Sequence, residues 1–331
     1  MKTIGIIGAR GFVGGELLRL LAAHSGFELA MISSRSLDGQ RVCDAFEHPS
    51  ELQIRAVEPS VEVASLDALV LALPNGLSGL WVEAADAGTK TGIGMGGQGS
   101  APAESCSAPA NGPVIVDVSA DHRFDDAWVY GLPEHNRTNI TNARRIANPG
   151  CYATGVQVAL RPMLDLLDGD AWAFGVSGYS GAGSTPSPKN DPVALADNLM
   201  PYKSVGHLHE LEVTRHLTHR VNFMPHVAPF FRGITLTITA YLKPRVTAKE
   251  VVARYRTAAE CEPLITWSHD APLVRDCAGR HEVNLGGVTF DPERRRLVVV
   301  ATLDNLLKGA ATQVLQNLNL ACGFDELEGL A

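Results

Sequence analysis

Cys151 stands in Asn148-Pro149-Gly150-Cys151-Tyr152-Ala153-Thr154-Gly155, just ahead of the apolar helical pattern of Val156 to Leu164. That order puts a thiol at or near a helix N-terminus, where the dipole and free N–H groups stabilise a thiolate and lower its pKa. Pro149 and Gly150 supply a sharp entry turn that exposes the sulfur. A free cysteine is most often a small buried thiol, and Cys43, Cys106, Cys261, Cys277 and Cys322 are read that way. A thiolate nucleophile needs a base and a proton donor. His207-Leu208-His209-Glu210-Leu211-Glu212 supplies two histidines two apart. On a helix Glu212 falls at i+3 from His209, where a carboxylate can orient the imidazole. Two histidines so spaced can also ligate a metal, but no other ligand cluster accompanies them, so no metal is expected. Downstream, Arg232 precedes Gly233. A guanidinium there suits a carboxylate or phosphate held bidentately, although by residue type alone it reads equally as a solvated surface arginine.

A second constellation lies at the start of the chain. Gly8-Ala9-Arg10-Gly11-Phe12-Val13-Gly14 follows the apolar run Thr3 to Ile7 and precedes a helical pattern with Leu17, Leu18, Leu20 and Leu21. Glycines at 8, 11 and 14 let a backbone approach a pyrophosphate, and the helix N-terminus that follows favours negative charge. The strand-turn-helix context is what raises the motif above an ordinary tight turn. Gly8, Arg10, Gly11, Phe12, Val13 and Gly14 are therefore candidate cofactor contacts. The next strand, Glu28 to Ser33, ends at Ser34-Arg35. An acidic residue there would bind the ribose 2′-hydroxyl of NAD, whereas hydroxyl and guanidinium groups suit a 2′-phosphate. Ser34 and Arg35 thus point to NADP(H) rather than NAD.

These groups need elements to hold them. Strand, glycine turn, helix and strand make one βαβ unit. Leu66 to Leu73, ending at Pro74-Asn75-Gly76, and Val114 to Val118 are further buried-strand candidates, so the first half reads as a Rossmann-type, doubly wound parallel sheet. The second half changes character. Ala171 to Val176, Ile234 to Tyr241 and Arg296 to Thr302 are β-rich. In the second of these, Thr235, Thr237 and Thr239 alternate with Leu236, Ile238 and Ala240, the pattern of an antiparallel sheet with one covered face. Beyond Asn305, Ala311, Val314, Leu315 and Leu318 return to helical spacing. The expected architecture is α/β: an NADP-binding domain of residues 1–149 plus 305–331, and an α+β catalytic domain of 150–304 with a largely antiparallel sheet. Residues 92 to 112, rich in Gly, Ala, Ser and Pro, read as a mobile surface loop, either a tolerated insertion or a lid.

Composition sets the outer limits. A chain of 331 residues with 45% hydrophobic residues buries a sizeable core. A net charge of -8 argues against a nucleic-acid partner. No run reaches the ~18 apolar residues of a membrane span, and the N-terminus is unlike a signal peptide. Cysteines without a CxxC pair disfavour a zinc ribbon or a disulfide framework. A cytoplasmic protein is expected.

Taken in order, GARGFVG, SSRSLDGQ, VDVSADHRF, YGLPE, NPGCYATG, SGYSGAG, HLHELE, FMPHVAPFFRG and DNLLKGAATQVLQNLN resemble the N-acetyl-gamma-glutamyl-phosphate reductase family, relatives of aspartate-semialdehyde dehydrogenase. The resemblance runs from residue 8 almost to 320. It implies an acyl-phosphate substrate, Cys151 as nucleophile, and His209 as acid and base. It implies substrate contacts around Arg123, Ser180, His207, Glu212 and Arg232, cofactor contacts at Asn75 and Asn305, and a homodimer or homotetramer. Three departures matter. Leu211 precedes Glu212 where the family often has Pro, Asn75 stands where it often has His, and Ser184 stands where it often has Arg. Lys189 and Arg232 are the cations available to replace that last group. Three other readings stay open: a sister acyl-phosphate reductase, a thiol acyltransferase or hydrolase without nicotinamide, and a non-catalytic NADP-binding regulator.

Overall fold

The computed structural model describes residues 1–90 and 112–330. The loop expected at 92 to 112 lies outside the described residues except for Gly112. The chain divides into two compact units, Met1–Pro149 with Gln313–Ala331, and Gly150–Thr312.

The first unit is built on β1 (Lys2–Ile7), α1 (Phe12–Leu21), β2 (Phe27–Ser33), α2 (Val42–Ala45), β3 (Ala68–Leu71), α3 (Gly79–Lys90), β4 (Val114–Asp117), β5 (Val129–Tyr130), α4 (Pro133–Thr141) and β6 (Arg145–Ala147). Its six strands run in the order β2-β1-β3-β4-β6-β5, every pair parallel. This is the expected doubly wound sheet. Strands β3 and β4 are buried along their whole length, as a sheet covered on both faces requires. Leu17, Leu18, Leu20 and Leu21 form the buried stripe of α1. Leu69, Leu71, Ile115, Trp81, Ala85 and Trp128 share a further part of the core.

The second unit opens with α5 (Cys151–Leu160) and continues through β7 (Ala171–Gly178), α6 (Pro192–Leu195), β8 (Met200–Pro201), α7 (Leu208–Leu217), β9 (Val221–Ala228), β10 (Ile234–Tyr241), α8 (Ala248–Cys261), β11 (Ile265–Trp267), α9 (Val274–Cys277), β12 (Val283–Asp291) and β13 (Arg296–Leu303). Its sheet has the order β11-β12-β13-β10-β7-β9-β8. It is mostly antiparallel, with β11–β12 and β7–β9 the parallel pairs. The alternation read in β10 is what the fold uses: Leu236, Ile238 and Ala240 are buried while Thr235, Thr237 and Thr239 are not. Helix α5 lies on the covered face; a Cβ on Gly155 would come within 2.5 Å of Leu236. The hydroxyl of Tyr255, on α8, donates to the Ala159 carbonyl at 2.9 Å. The helical pattern read through Leu164 breaks at Leu160 into a tighter turn over Arg161–Leu166. Pro162 has no N–H to continue the α-helical ladder.

The return from β13 is less regular than its helical spacing suggests. A π-turn over Leu307–Ala311 precedes α10 (Thr312–Cys322), so residues 305–312 go with the second unit and the first resumes at Gln313. Within the first unit Val314, Leu315 and Leu318 are fully buried. Asn317 donates to the Gly131 carbonyl and to Asn148 Oδ1 at 2.9 and 3.1 Å. His24 bonds Asn319 at 2.9 Å, and Phe324 meets Phe27 edge-on at 5.0 Å.

Candidate active site

The glycine turn separates into positions with different needs. Gly8 has φ +86°, and a Cβ there would stand 2.3 Å from the Ala72 carbonyl oxygen. A Cβ on Gly14 would meet Ala9 backbone at 2.6 Å, so this glycine lets α1 leave the strand closely. Gly11, at the N-cap of α1, is different: a Cβ would find only the Gly8 oxygen, at an ordinary 3.6 Å. Its bare backbone is not demanded by packing, and a close-approaching phosphate is a reason for it. No acidic residue lies in the first turn of α1. Arg10, Phe12 and Val13 belong to the same turn. These residues fit a dinucleotide.

At the end of β2, Ser34 is buried and Arg35 is exposed. Arg35 pairs with Glu58 at 3.0 Å, both side chains largely in solvent. Such a pair is worth about 0–1 kcal/mol, so a phosphate can displace the carboxylate. The Ser34 amide donates to the Arg55 carbonyl at 3.1 Å. That interaction places a second arginine beside the strand end, which sequence separation had hidden. Asn75 Oδ1 accepts from the Ala120 amide, and Asp121 accepts from Gly76 and from the Ser78 hydroxyl. The loops after β3 and β4 are thereby tied together. Arg123, expected to touch substrate, gives Nε to the Asn148 carbonyl and Nη2 to the Val118 carbonyl, both at 2.9 Å. Its visible work is to brace the backbone that leads to Cys151.

In the second unit, Gly150 caps α5 and every residue from Tyr152 to Leu160 is buried. Cys151 alone in that helix is partly exposed, so the sulfur sits at the one end that reaches solvent. The cap is held from α7: Glu212, fully buried, accepts the Gly150 amide at 2.8 Å through Oε1. The carboxylate read from the sequence as able to orient an imidazole is seen to hold the cap of α5. His209 lies in the first turn of α7, and its ring is 5.8 Å from that of Tyr152. Cys151 and His209 are therefore brought to two helices joined through Glu212 and Tyr152.

His207 is the N-cap of α7. Its Nδ1 accepts the His209 amide at 3.1 Å, so its ring proton sits on Nε2. Burial, then the nearby Lys203, lowers its pKa to about 4. It adds no positive charge at neutral pH. Glu210 completes the entry by accepting the Gly206 and Phe223 amides at 2.9 and 2.8 Å. Tyr202, absent from the residues singled out in sequence, packs its ring 5.5 Å from His207.

Opposite the helix end runs the π-turn. A Cβ on Gly309 would stand 2.7 Å from Cys151 Cβ. The turn is set by Asp304, fully buried, whose Oδ1 accepts the Leu306 and Leu307 amides at 2.8 and 3.2 Å. Its Oδ2 accepts Arg232 Nε and the Gly279 amide, each at 2.6 Å. Arg232, expected to hold a substrate anion, is thus bound to a protein carboxylate. Asn305, expected at the cofactor, donates to Ser180 Oγ at 2.9 Å and accepts the Gly233 amide at 2.7 Å. Asn305 and Ser180, drawn from separate expectations, are one buried pair. Among the described residues no cluster of three or more His, Cys, Asp or Glu side chains is placed to hold a metal.

Comparison with known proteins agrees in both halves. Residues 3–95 match the family model described as semialdehyde dehydrogenase, NAD binding domain, and residues 151–305 match semialdehyde dehydrogenase, dimerisation domain. The chain is 49% identical over 330 residues to N-acetyl-gamma-glutamyl-phosphate reductase of Xanthomonas oryzae pv. oryzae, covering 99% of this chain and 98% of that protein. It is 49% identical over 332 residues to the protein of the same name from Stenotrophomonas maltophilia, covering 99% and 98%. Among solved structures, aspartate semialdehyde dehydrogenase II of Vibrio cholerae, complexed with ASA, superposes with TM-score 0.75 at 20% identity, over 98% of each chain. Aspartate semialdehyde dehydrogenase with NADP from Candida albicans gives TM-score 0.70 at 16% identity, over 97% of this chain and 100% of that one.

Proposed function

The chain belongs to the N-acetyl-gamma-glutamyl-phosphate reductase family of the semialdehyde dehydrogenases, and from that membership we propose that it reduces N-acetyl-gamma-glutamyl phosphate to N-acetylglutamate 5-semialdehyde with NADPH, through a thioester on Cys151. The observation that carries the chemistry is the placement of Cys151 at the exposed end of a buried helix whose cap is held by Glu212, three residues from His209 on α7.

His209 takes the Cys151 proton. The sulfur forms a bond to the acyl carbon, the bond from that carbon to the phosphate oxygen breaks, and inorganic phosphate leaves. NADPH, when bound, supplies the hydride that makes the thioester carbonyl tetrahedral. The proton held by His209 then goes to the oxygen. Its return to His209 lets the carbon–sulfur bond break, freeing the semialdehyde and the thiolate. Backbone amides at the start of α5 are the candidate oxyanion donors. Gly150 N–H is not among them, because Glu212 already holds it. The soft nucleophile makes a thioester, a better hydride acceptor than a carboxylate.

The activity is tested in the reverse direction, with N-acetylglutamate semialdehyde, phosphate and NADP⁺. NADPH formation that requires phosphate is expected; formation from aspartate semialdehyde alone would move the chain's substrate to the sister enzyme. Cofactor choice rests on Arg35 and Ser34. Arg35→Ala is expected to weaken NADPH binding by roughly 10–100-fold, the worth of a charged hydrogen bond, with NADH nearly unchanged. Equal loss for both nucleotides in a fluorescence titration would remove Arg35 as the reader of the 2′-phosphate.

The open face of the second sheet supports self-association. Phe174 on β7 registers with Thr237 on β10 and Met224 on β9, and Thr237 with Val300 on β13. This row is only partly buried, and Phe174 is 36% exposed. An apolar face of this kind normally marks an interface, and a second copy is the occupant that a dimerisation domain implies. Phe174→Arg is expected to shift the protein to monomers by light scattering; an unchanged mass would place the interface elsewhere.

A further inference from the structure

An acyl phosphate of an acidic amino acid carries two anionic groups, the phosphate and a carboxylate, and the site must neutralise both. Among the cations expected to do so, Arg232 is given to Asp304. Lys189 has a different setting. Its ammonium lies 4.9 Å from the centre of the Tyr202 ring, a cation–π contact. The Tyr202 ring packs on His207 at 5.5 Å, and His207 packs on His209 at 4.9 Å. The lysine is therefore the outer end of an array of rings whose inner end is the acid–base histidine.

The segment that carries Lys189 is held in shape. Asn190 Oδ1 accepts the Ser187 amide at 2.7 Å, and Nδ2 donates to the Gly183 and Thr185 carbonyls, both at 2.7 Å. Ser184 sits in the same closed loop and is exposed. Lys203, the residue after Tyr202, is exposed at φ +41°. Both lysines act on His207, disfavouring its charged form. Glu210 and Glu212 act on the same imidazole in the opposite sense, but both carboxylates are engaged by backbone amides, of Gly206 and Phe223 for Glu210 and of Gly150 for Glu212.

We propose that Lys189, poised over Tyr202, takes the anionic group of the substrate that points away from Cys151, a carboxylate or a phosphate, and so replaces the arginine missing at Ser184. The proposal rests on the acyl-phosphate reading and names the residue that selects an anionic substrate. Lys189 reads charge without touching the reacting carbon, so its loss acts on binding more than on the chemical steps.

The test uses the full chain in the reverse assay, where the two anions are separate molecules. Lys189→Ala is expected to raise KM for N-acetylglutamate semialdehyde, if it holds the carboxylate, or for phosphate, if it holds that group, by roughly 10–100-fold. kcat and the KM for NADP⁺ stay within about threefold of wild type, and Lys189→Arg restores most of the loss. Unchanged KM for both anions overturns the proposal, as does a fall in kcat that Lys189→Arg does not rescue. Calorimetry with inorganic phosphate and with N-acetylglutamate separates this from the activity reading. Binding lost in Lys189→Ala supports the subsite even where wild type makes no NADPH, an outcome that would remove the activity alone. Equal affinity in wild type and variant, or no binding of either anion to wild type, overturns the subsite.

Discussion

Cys151→Ala is expected to remove at least about 10⁴-fold of the phosphate-dependent rate while leaving NADPH binding intact. The size follows from the covalent scheme: with no sulfur there is no thioester, and the remaining groups can only orient the acyl phosphate toward hydride. Deleting the nucleophile of a covalent enzyme costs on this scale or more. His209→Asn is expected to fall less, by roughly 10²–10⁴-fold, the worth of general acid–base catalysis. The split between the two is the informative part. Turnover unchanged in Cys151→Ala would end the thioester scheme. Full loss of NADPH binding in that variant would show that the substitution had damaged the fold instead. Cys151→Ser serves as the close control: an alkoxide is far harder to form than a thiolate, so it should resemble Ala in rate while preserving the geometry beside Gly309.

Asp304→Ala is expected to destabilise the second unit by about 3–5 kcal/mol, the cost of leaving one half of a buried ion pair. Asp304 is fully buried and Arg232 partly so, and the same carboxylate holds the Gly279, Leu306 and Leu307 amides. At ~2–4 °C per kcal/mol for a unit of this size, thermal unfolding should move down by about 6–20 °C. Activity should fall as well, because the π-turn places Gly309 against Cys151 and a displacement near 1 Å at a reacting group costs about 10²-fold. A shift below about 2 °C would mean that neither the ion pair nor the amide contacts of this carboxylate bear the stability. Asp304→Ala combined with Arg232→Met is the discriminating partner. Removing both charges should recover part of the loss, since buried ion pairs replaced by apolar groups are often nearly neutral.

What could be read from residue order alone was whatever repeats locally. The β1–α1–β2 unit announces itself by a glycine turn between an apolar strand and a 3.6-residue stripe. Strand β10 announces itself by strict alternation, and α5 by an entry turn ahead of an apolar run. Features made by distant residues left no such trace. Nothing near Arg232 signals Asp304, seventy-two positions on. Nothing near Lys189 signals the ring of Tyr202, and nothing near Gly150 signals Glu212. The π-turn escaped for another reason: Ala311, Val314 and Leu315 keep a helical spacing through it, and one wide turn hardly alters that period. The parallel pairing of β7 with β9 is equally silent, because a strand's own residues do not state which neighbour lies beside it or in which direction.

The discontinuity of the first unit has a consequence for how the molecule is made. Its sheet comes from residues 1–149, yet the buried positions Val314, Leu315 and Leu318, and Asn317, Asn319 and Glu326, which bond Gly131, His24 and Arg137, come from Gln313–Ala331. On a ribosome, the whole of Gly150–Thr312 is translated before those residues exist. The half begun first is completed last. Until then Gly131, His24 and Phe27 lack the partners that α10 and Phe324 supply, and loop closure across 186 residues for Gly131 and 295 for His24 must precede their burial. Slow, late-locking nascent chains are therefore built into the order of the sequence.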